Sequence, residues 1–225
     1  MTTSKMIIAI DGPAGSGKGT VAKIIAKKMN LIYVDTGAIY RALALKAKNS
    51  GIDPQNQEAI INIANDSKIE SFYDIAQGHL KVFLDGCDVS EEIRKPDITK
   101  HVAEISKIKE IRDIMVRLQR KLVKDKMAIL EGRDITTVVF PDAYKKFYLD
   151  AEQPERIHRR YLELKEKKIS IKETDVAKDI QLRDLTDAQR QYGPLRRSPD
   201  AVYIDTTHMS IEEVAQKLIE EINKP

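Results

Sequence analysis

The sequence predicts an α/β fold: a five-stranded, mostly parallel sheet flanked by helices and carrying a small antiparallel β insert. Three observations point there. Five short apolar runs alternate with stretches of helical spacing. The first run leads directly into DGPAGSGKGT, residues 11–20, whose glycines and lysine match G-x-x-x-x-G-K between a strand and a helix. Residues 68–90 break the alternation and read as short strands joined by tight turns.

The strands are expected at 6–10, 31–34, 127–130, 146–149 and 202–204. Each is mostly continuously apolar rather than alternating, as strands buried on both faces are. A helix over 20–29 follows from Val21, Ile24, Ile25 and Met29 at helical spacing. One over 37–48 follows from Ile39, Leu43 and Leu45. In the insert, Gln77-Gly78 lies between two alternating runs and Asp85-Gly86 follows, both turn signals. A single long amphipathic helix is expected over 105–123, with Ile108, Ile111, Met115, Leu118 and Leu122 on one face. A last helix over 211–222 opens with Ser210 and Glu213 in capping-box spacing.

Composition narrows the class. The chain has 225 residues, 42% of them apolar, enough for one sizeable core. With 38 basic and 35 acidic residues the net charge is +3, which argues against general nucleic-acid binding. Cys87 is the only cysteine, so an internal disulfide is impossible and a reducing compartment is expected. The first apolar run stops at Asp11, too short for a signal segment. No run approaches the ~20 residues of a membrane helix. A cytoplasmic monomer with no membrane partner is therefore expected.

The glycine-rich stretch has a physical purpose. Glycines let backbone N–H groups converge on an anion where a Cβ would collide. The following helix points its unpaired N–H groups and positive dipole end at the same place, and Lys18 adds a mobile charge for the β- and γ-phosphates. The nucleoside-triphosphate cradle comprises Gly12, Pro13, Ala14, Gly15, Ser16, Gly17, Lys18, Gly19 and Thr20, with Gly19 where many such loops carry Ser or Thr. The competing reading is a glycine-rich turn that only caps a helix; the strand–loop–helix context speaks against it.

This loop resembles that of nucleoside monophosphate kinases. The segment after the second strand, Asp35-Thr36-Gly37-Ala38-Ile39-Tyr40-Arg41, is similar to the D-[ST]-G-A-[IM]-Y-R of bacterial-type cytidylate kinases. Gly132-Arg133-Asp134 and RDLTDAQRQYGPL at 183–195 match the same family in order and spacing, and the likeness runs from about residue 7 to 222. The resemblance implies a P-loop kinase fold with a helical lid. It divides the chain into a core (1–66, 100–154 and 171–225), a monophosphate-binding insert (67–99) and a lid (155–170). It also implies that ATP with Mg²⁺ phosphorylates CMP and dCMP.

The resemblance assigns roles that suit the residue types. Asp35 and Thr36 open the acceptor segment. Arg41 and Arg133 would hold the acceptor phosphate, because a guanidinium fork bonds phosphate bidentately. Cytosine presents an amino donor beside ring acceptors, so a carboxylate and a cation are needed; Asp134 and Arg112 fill these roles, with Arg190 nearby. Arg183 and Asp187 would reach the sugar hydroxyls. Arg112 and Asp187, without the resemblance, read more readily as solvated helix charges. Ala103 stands where the family usually has a serine near the base, so that contact to cytosine is either missing, which would loosen base selection, or made by Ser106 or a water. Arg156 and Arg160 share one helical face and would close on the transferring phosphoryl group with Lys18 and Arg133, ahead of Arg159. No general base is required, and metal ligands are not readable. Other acceptors, UMP or shikimate, and a nucleotide-driven switch remain the alternatives.

Overall fold

The structure, a computed structural model, describes residues 6–74 and 77–224. Of the expected divisions, residues 1–5 and 225 of the core and 75–76 of the insert lie outside the described residues.

Five parallel strands form the main sheet: β1 (Ile7–Asp11), β2 (Ile32–Asp35), β6 (Ala128–Gly132), β7 (Lys145–Asp150) and β8 (Val202–Asp205), in the order β2-β6-β1-β7-β8. Every residue of β1 is buried, because this strand has neighbours on both sides and helices on both faces. The five expected strands are all present, each displaced or extended by one or two residues toward its polar C-terminal end. Register aligns those ends: Asp11 pairs with Gly132 and Tyr148, Asp35 with Glu131, and Asp150 with Asp205. Open parallel sheets bind ligands at this edge.

The helices are α1 (Lys18–Met29), α2 (Thr36–Asn49), α3 (Gln57–Asp66), α4 (Pro96–Ile105), α5 (Lys109–Leu122), α6 (Gln153–Glu166), α7 (Glu173–Gln189) and α8 (Ile211–Asn223). Helix α1 packs on α8, α2 on α4 and α3 on α5. The capping box expected at Ser210 and Glu213 is formed in both directions. Among the described residues no helix is long and apolar enough to cross a membrane.

The insert is a three-stranded antiparallel sheet of β3 (Ile69–Asp74), β4 (His79–Leu84) and β5 (Cys87–Asp88). In β4, Leu80, Val82 and Leu84 are buried while the residues between them are more open, the alternation of a half-buried strand. That face lies against α2.

The single helix expected over 105–123 is a correction: the segment divides between α4 and α5 at residues 106–108. Ser106 is buried and its Oγ donates to Ala103 O (3.4 Å), a local bond that competes with helix continuation. The break frees the Ser106 carbonyl, which accepts from Arg112 (3.4 Å).

Candidate functional site

The loop between β1 and α1 runs tightly against neighbouring backbone. Gly12 has φ +150, and a Cβ there would lie 1.9 Å from Leu149 O. Gly15 has φ +80, and its Cβ would meet Arg156 O at 2.7 Å. Neither position accepts a side chain without moving a neighbouring backbone. Lys18 is buried and folds back over the loop, donating to Pro13 O (2.6 Å) and Ser16 Oγ (3.2 Å). Burial, reinforced by the nearby Arg133 and Arg183, pushes its ammonium down to about 7. A Cβ on Gly19 would crowd Glu131 Oε1 at 3.1 Å, which accounts for the bare backbone at that position.

Asp35 caps α2, accepting from Ala38 N (2.8 Å) and from Arg41 (2.8 Å). Burial works to raise this carboxyl, but Arg41 and the Ala38 N–H hold it below its ordinary value. Thr36 Oγ1 donates to Glu131 O (2.8 Å), joining the end of β2 to the end of β6. The Glu131 carboxyl is held above its usual range by burial and by the charge of Asp35.

Beyond Gly132 the chain turns through Arg133 and Asp134 into a five-residue π-helical turn, Ile135–Val139. Arg133 Nε donates to Asp187 Oδ2 (2.7 Å). Asp187 also faces Arg190 at 3.4 Å and Arg183 at 4.0 Å, so one carboxylate collects three arginines. Burial works to raise Asp187, but those arginines keep it low. Arg183 is pushed down to about 10 by burial and by Arg133, yet stays charged at neutral pH. Positive charge thus exceeds its local compensation, the condition for binding phosphate.

Asp134 and Arg112 form a buried ion pair, and the ring of Tyr40 lies 5.9 Å from the Arg112 guanidinium. Gly193 closes this pocket: a Cβ there would sit 2.3 Å from Arg112 and 2.4 Å from Asp134. Arg190 Nε donates to Gly193 O (2.7 Å), while its Nη2 is buried without a hydrogen-bond partner among the described residues.

The arginines of α6 behave differently from one another. Arg156 is buried and donates to Ala151 O (2.9 Å), Ala14 O (3.1 Å) and Asp184 Oδ2 (2.6 Å). Arg159 donates to Thr206 O (2.6 Å) and Glu155 (2.7 Å). Among the described residues Arg160 bonds Glu163 on its own helix, at 2.6 Å, and is partly exposed.

Around the loops that follow β1, β2 and β6 the structure gathers Arg133, Arg183, Asp187 and Arg190 in one cluster near Lys18, pairs Arg112 with Asp134 and pairs Asp35 with Arg41, whereas Arg160 bonds Glu163 of its own helix instead. Glu131, Asp184, Gly193 and Asp11 join them; Asp11 opens the glycine-rich stretch and Asp184 and Gly193 fall inside the 183–195 segment, but residue type and spacing assign none of them a partner. Glu131 stands next to the recognised Gly-Arg-Asp triplet, and that adjacency was the one available signal.

The comparisons agree with this geometry. The family model described as cytidylate kinase matches residues 8–224. The chain is 47% identical to the cytidylate kinase of Caldanaerobacter subterraneus subsp. tengcongensis over 96% of its own length and 94% of that protein's. It is 46% identical to the cytidylate kinase of Caldicellulosiruptor saccharolyticus over 96% and 95% of the two chains. Among solved structures, an uncharacterized protein from Eubacterium ventriosum superposes with TM-score 0.54 at 12% identity, covering 98% of this chain and 100% of that one, a likeness of fold alone. With a match of that extent and identity, the chain belongs to the cytidylate kinase family.

Proposed function

We propose that this chain transfers the γ-phosphoryl group of ATP to CMP and dCMP, giving ADP and CDP or dCDP. A CMP phosphate oxygen, already anionic at neutral pH, attacks the γ-phosphorus. The new P–O bond forms as the bond to the β–γ bridging oxygen breaks, and ADP leaves with that electron pair. The observation that carries the reading is the buried Arg112–Asp134 pair, set beside an arginine that lies within electrostatic reach of Lys18.

The phosphate loop and Lys18 take the ATP phosphates. Arg41 and Arg133 take the acceptor phosphate, oriented by Asp35 and Asp187, which bond them in this structure. Asp134 accepts from the cytosine amino group and Arg112 donates to the ring acceptors, with Arg190 beside them. Uracil would turn a carbonyl toward Asp134, leaving two acceptors face to face at a cost of about 1–3 kcal/mol. Arg156, fixed to the loop through Ala14 O, belongs to the donor side. Arg160, bound only within its helix, is free to turn onto the transferring group as α6 and α7 close.

In this reading Mg²⁺ would accompany ATP and would supply charge neutralisation at the β- and γ-phosphates. The residues present fit it: Asp35 and Glu131 are neighbours across β2 and β6, and the buried Glu131 carboxyl, raised by burial and by Asp35, lies within electrostatic reach of Lys18. They would receive the ion's water shell, since Mg²⁺ keeps several waters.

A coupled ADP-release assay over CMP, dCMP, UMP, AMP and GMP tests the reading. CMP and dCMP are expected to lead in kcat/KM. Equal sub-saturating rates with UMP would overturn the base assignment, and ADP release that ignores every acceptor would favour a nucleotide switch.

A further inference from the structure

Asp11 is the last residue of β1, and Gly12, the first of the phosphate loop, follows it. Its side chain is fully buried and takes no part in the transfer described above. Instead it accepts three hydrogen bonds from a segment far along the chain: Ile135 N to Oδ1 (2.8 Å), Thr136 N to Oδ2 (2.7 Å) and Thr136 Oγ1 to Oδ2 (2.6 Å). These are the first residues of the π-helical turn that begins directly after Arg133 and Asp134. The turn has no side-chain cap of its own, because Asp134 sits at the capping position with its carboxylate engaged by Arg112. Asp11 supplies the missing cap from another strand.

We propose that Asp11 is a positioning residue for the acceptor: it hangs the Arg133-Asp134 turn from the strand end that begins the phosphate loop, so that donor and acceptor sites share one anchor. This inference rests on the kinase reading above. Burial pushes the Asp11 carboxyl up to about 6, against the three bonds that pull it down. The charged groups acting on or felt by it are Lys18, Arg133 and Asp134.

The two loops are held by different means, which makes the idea testable. Gly12 stays in place through the backbone ladder on both sides of β1 and its contact with Leu149 O. The acceptor turn depends on the carboxylate. Loosening it lowers the fraction of molecules competent to bind CMP, and apparent affinity falls by that fraction.

The experiment is steady-state kinetics on Thr136→Val, Thr136→Ser and Asp11→Asn with CMP and ATP varied separately. Thr136→Val removes one bond and leaves the carboxylate partly unsatisfied; its KM for CMP is expected to rise about tenfold, with KM for ATP unchanged within about twofold. Thr136→Ser keeps the hydroxyl and should restore the KM for CMP. Asp11→Asn turns an amide N–H toward a backbone donor and should exceed Thr136→Val in the same direction. Should Asp11→Asn fail to fold, the valine–serine pair decides. Parallel losses for ATP and CMP, or a CMP KM unmoved in Thr136→Val, would overturn the proposal. A wild-type protein that phosphorylates a different monophosphate overturns the base assignment instead, and the same split is then read with that acceptor.

Discussion

At the scale of single residues, Lys18 is the sharpest case. Its ammonium is held down to about 7 in the ligand-free site because it is buried beside Arg133 and Arg183. Triphosphate would reverse the sign of that environment and pull the pKa back up. ATP binding at pH 8 is therefore expected to take up a proton, read as a binding enthalpy that depends on the ionisation enthalpy of the buffer. The dependence should vanish in Lys18→Ala; a wild-type enthalpy that ignores the buffer would contradict the assignment. Turnover of Lys18→Ala should fall by about three orders of magnitude or more with the circular dichroism unchanged. Asp134→Ala should reduce kcat/KM for CMP more than for UMP, and equal losses would show that Asp134 does not read the base. Asp11 sets a stability prediction. Its folded pKa of about 6 exceeds the ordinary 3.8, so between those values the folded state binds more protons than the unfolded one. Its contribution is then most favourable below pH 4 and declines as pH rises to about 6, by about 3 kcal/mol at most. The denaturation midpoint of Asp11→Asn relative to wild type should accordingly improve from pH 4.5 to pH 7. A constant difference would refute the raised pKa.

Among the elements, legibility followed burial. The five strands of the main sheet read directly because both faces are covered, and a run such as Ile7 to Ile10 has no polar interruption. Helix α7 escaped notice for the opposite reason: along seventeen residues it buries only Val176, Ile180 and Asp187, too little for an apolar stripe. The break between α4 and α5 was hidden because Ile105, Ile108 and Ile111 keep helical spacing across it while all three are buried. The α6–α7 pair packs through its own small cluster of Leu164, Val176 and Ile180, apart from the main core. Such satellites open at lower free energy than the core. Leu164→Ala is expected to accelerate amide exchange across 157–182 while β1 and β6 keep wild-type protection. Uniform acceleration would mean that the pair is welded to the core.

For the whole molecule, the sheet places five strand ends along one edge, and the site is what those ends and their loops carry. The phosphate loop was legible because its chemistry is local: glycines, lysine and helix start lie within a few residues. The acceptor pocket was legible only through resemblance, since its decisive pairs are remote in sequence. Arg112 meets Asp134 across 22 residues and Arg133 meets Asp187 across 54. The bonds from Thr136 to Asp11 span 125. Periodicity and spacing say nothing of such distances; the register of β1 with β6 brings Asp11 to the turn after β6, and the packing of α5 and α7 beside that turn brings in Arg112 and Asp187. The central claim is that the two nucleotides meet phosphate to phosphate along this edge. A crystal structure with CMP and a non-hydrolysable ATP analogue tests it most directly. The expected result puts the CMP phosphate on Arg41 and Arg133, its base on Arg112 and Asp134, and the analogue's γ-phosphate on Lys18; CMP bound away from Arg133 and Asp134 would contradict it.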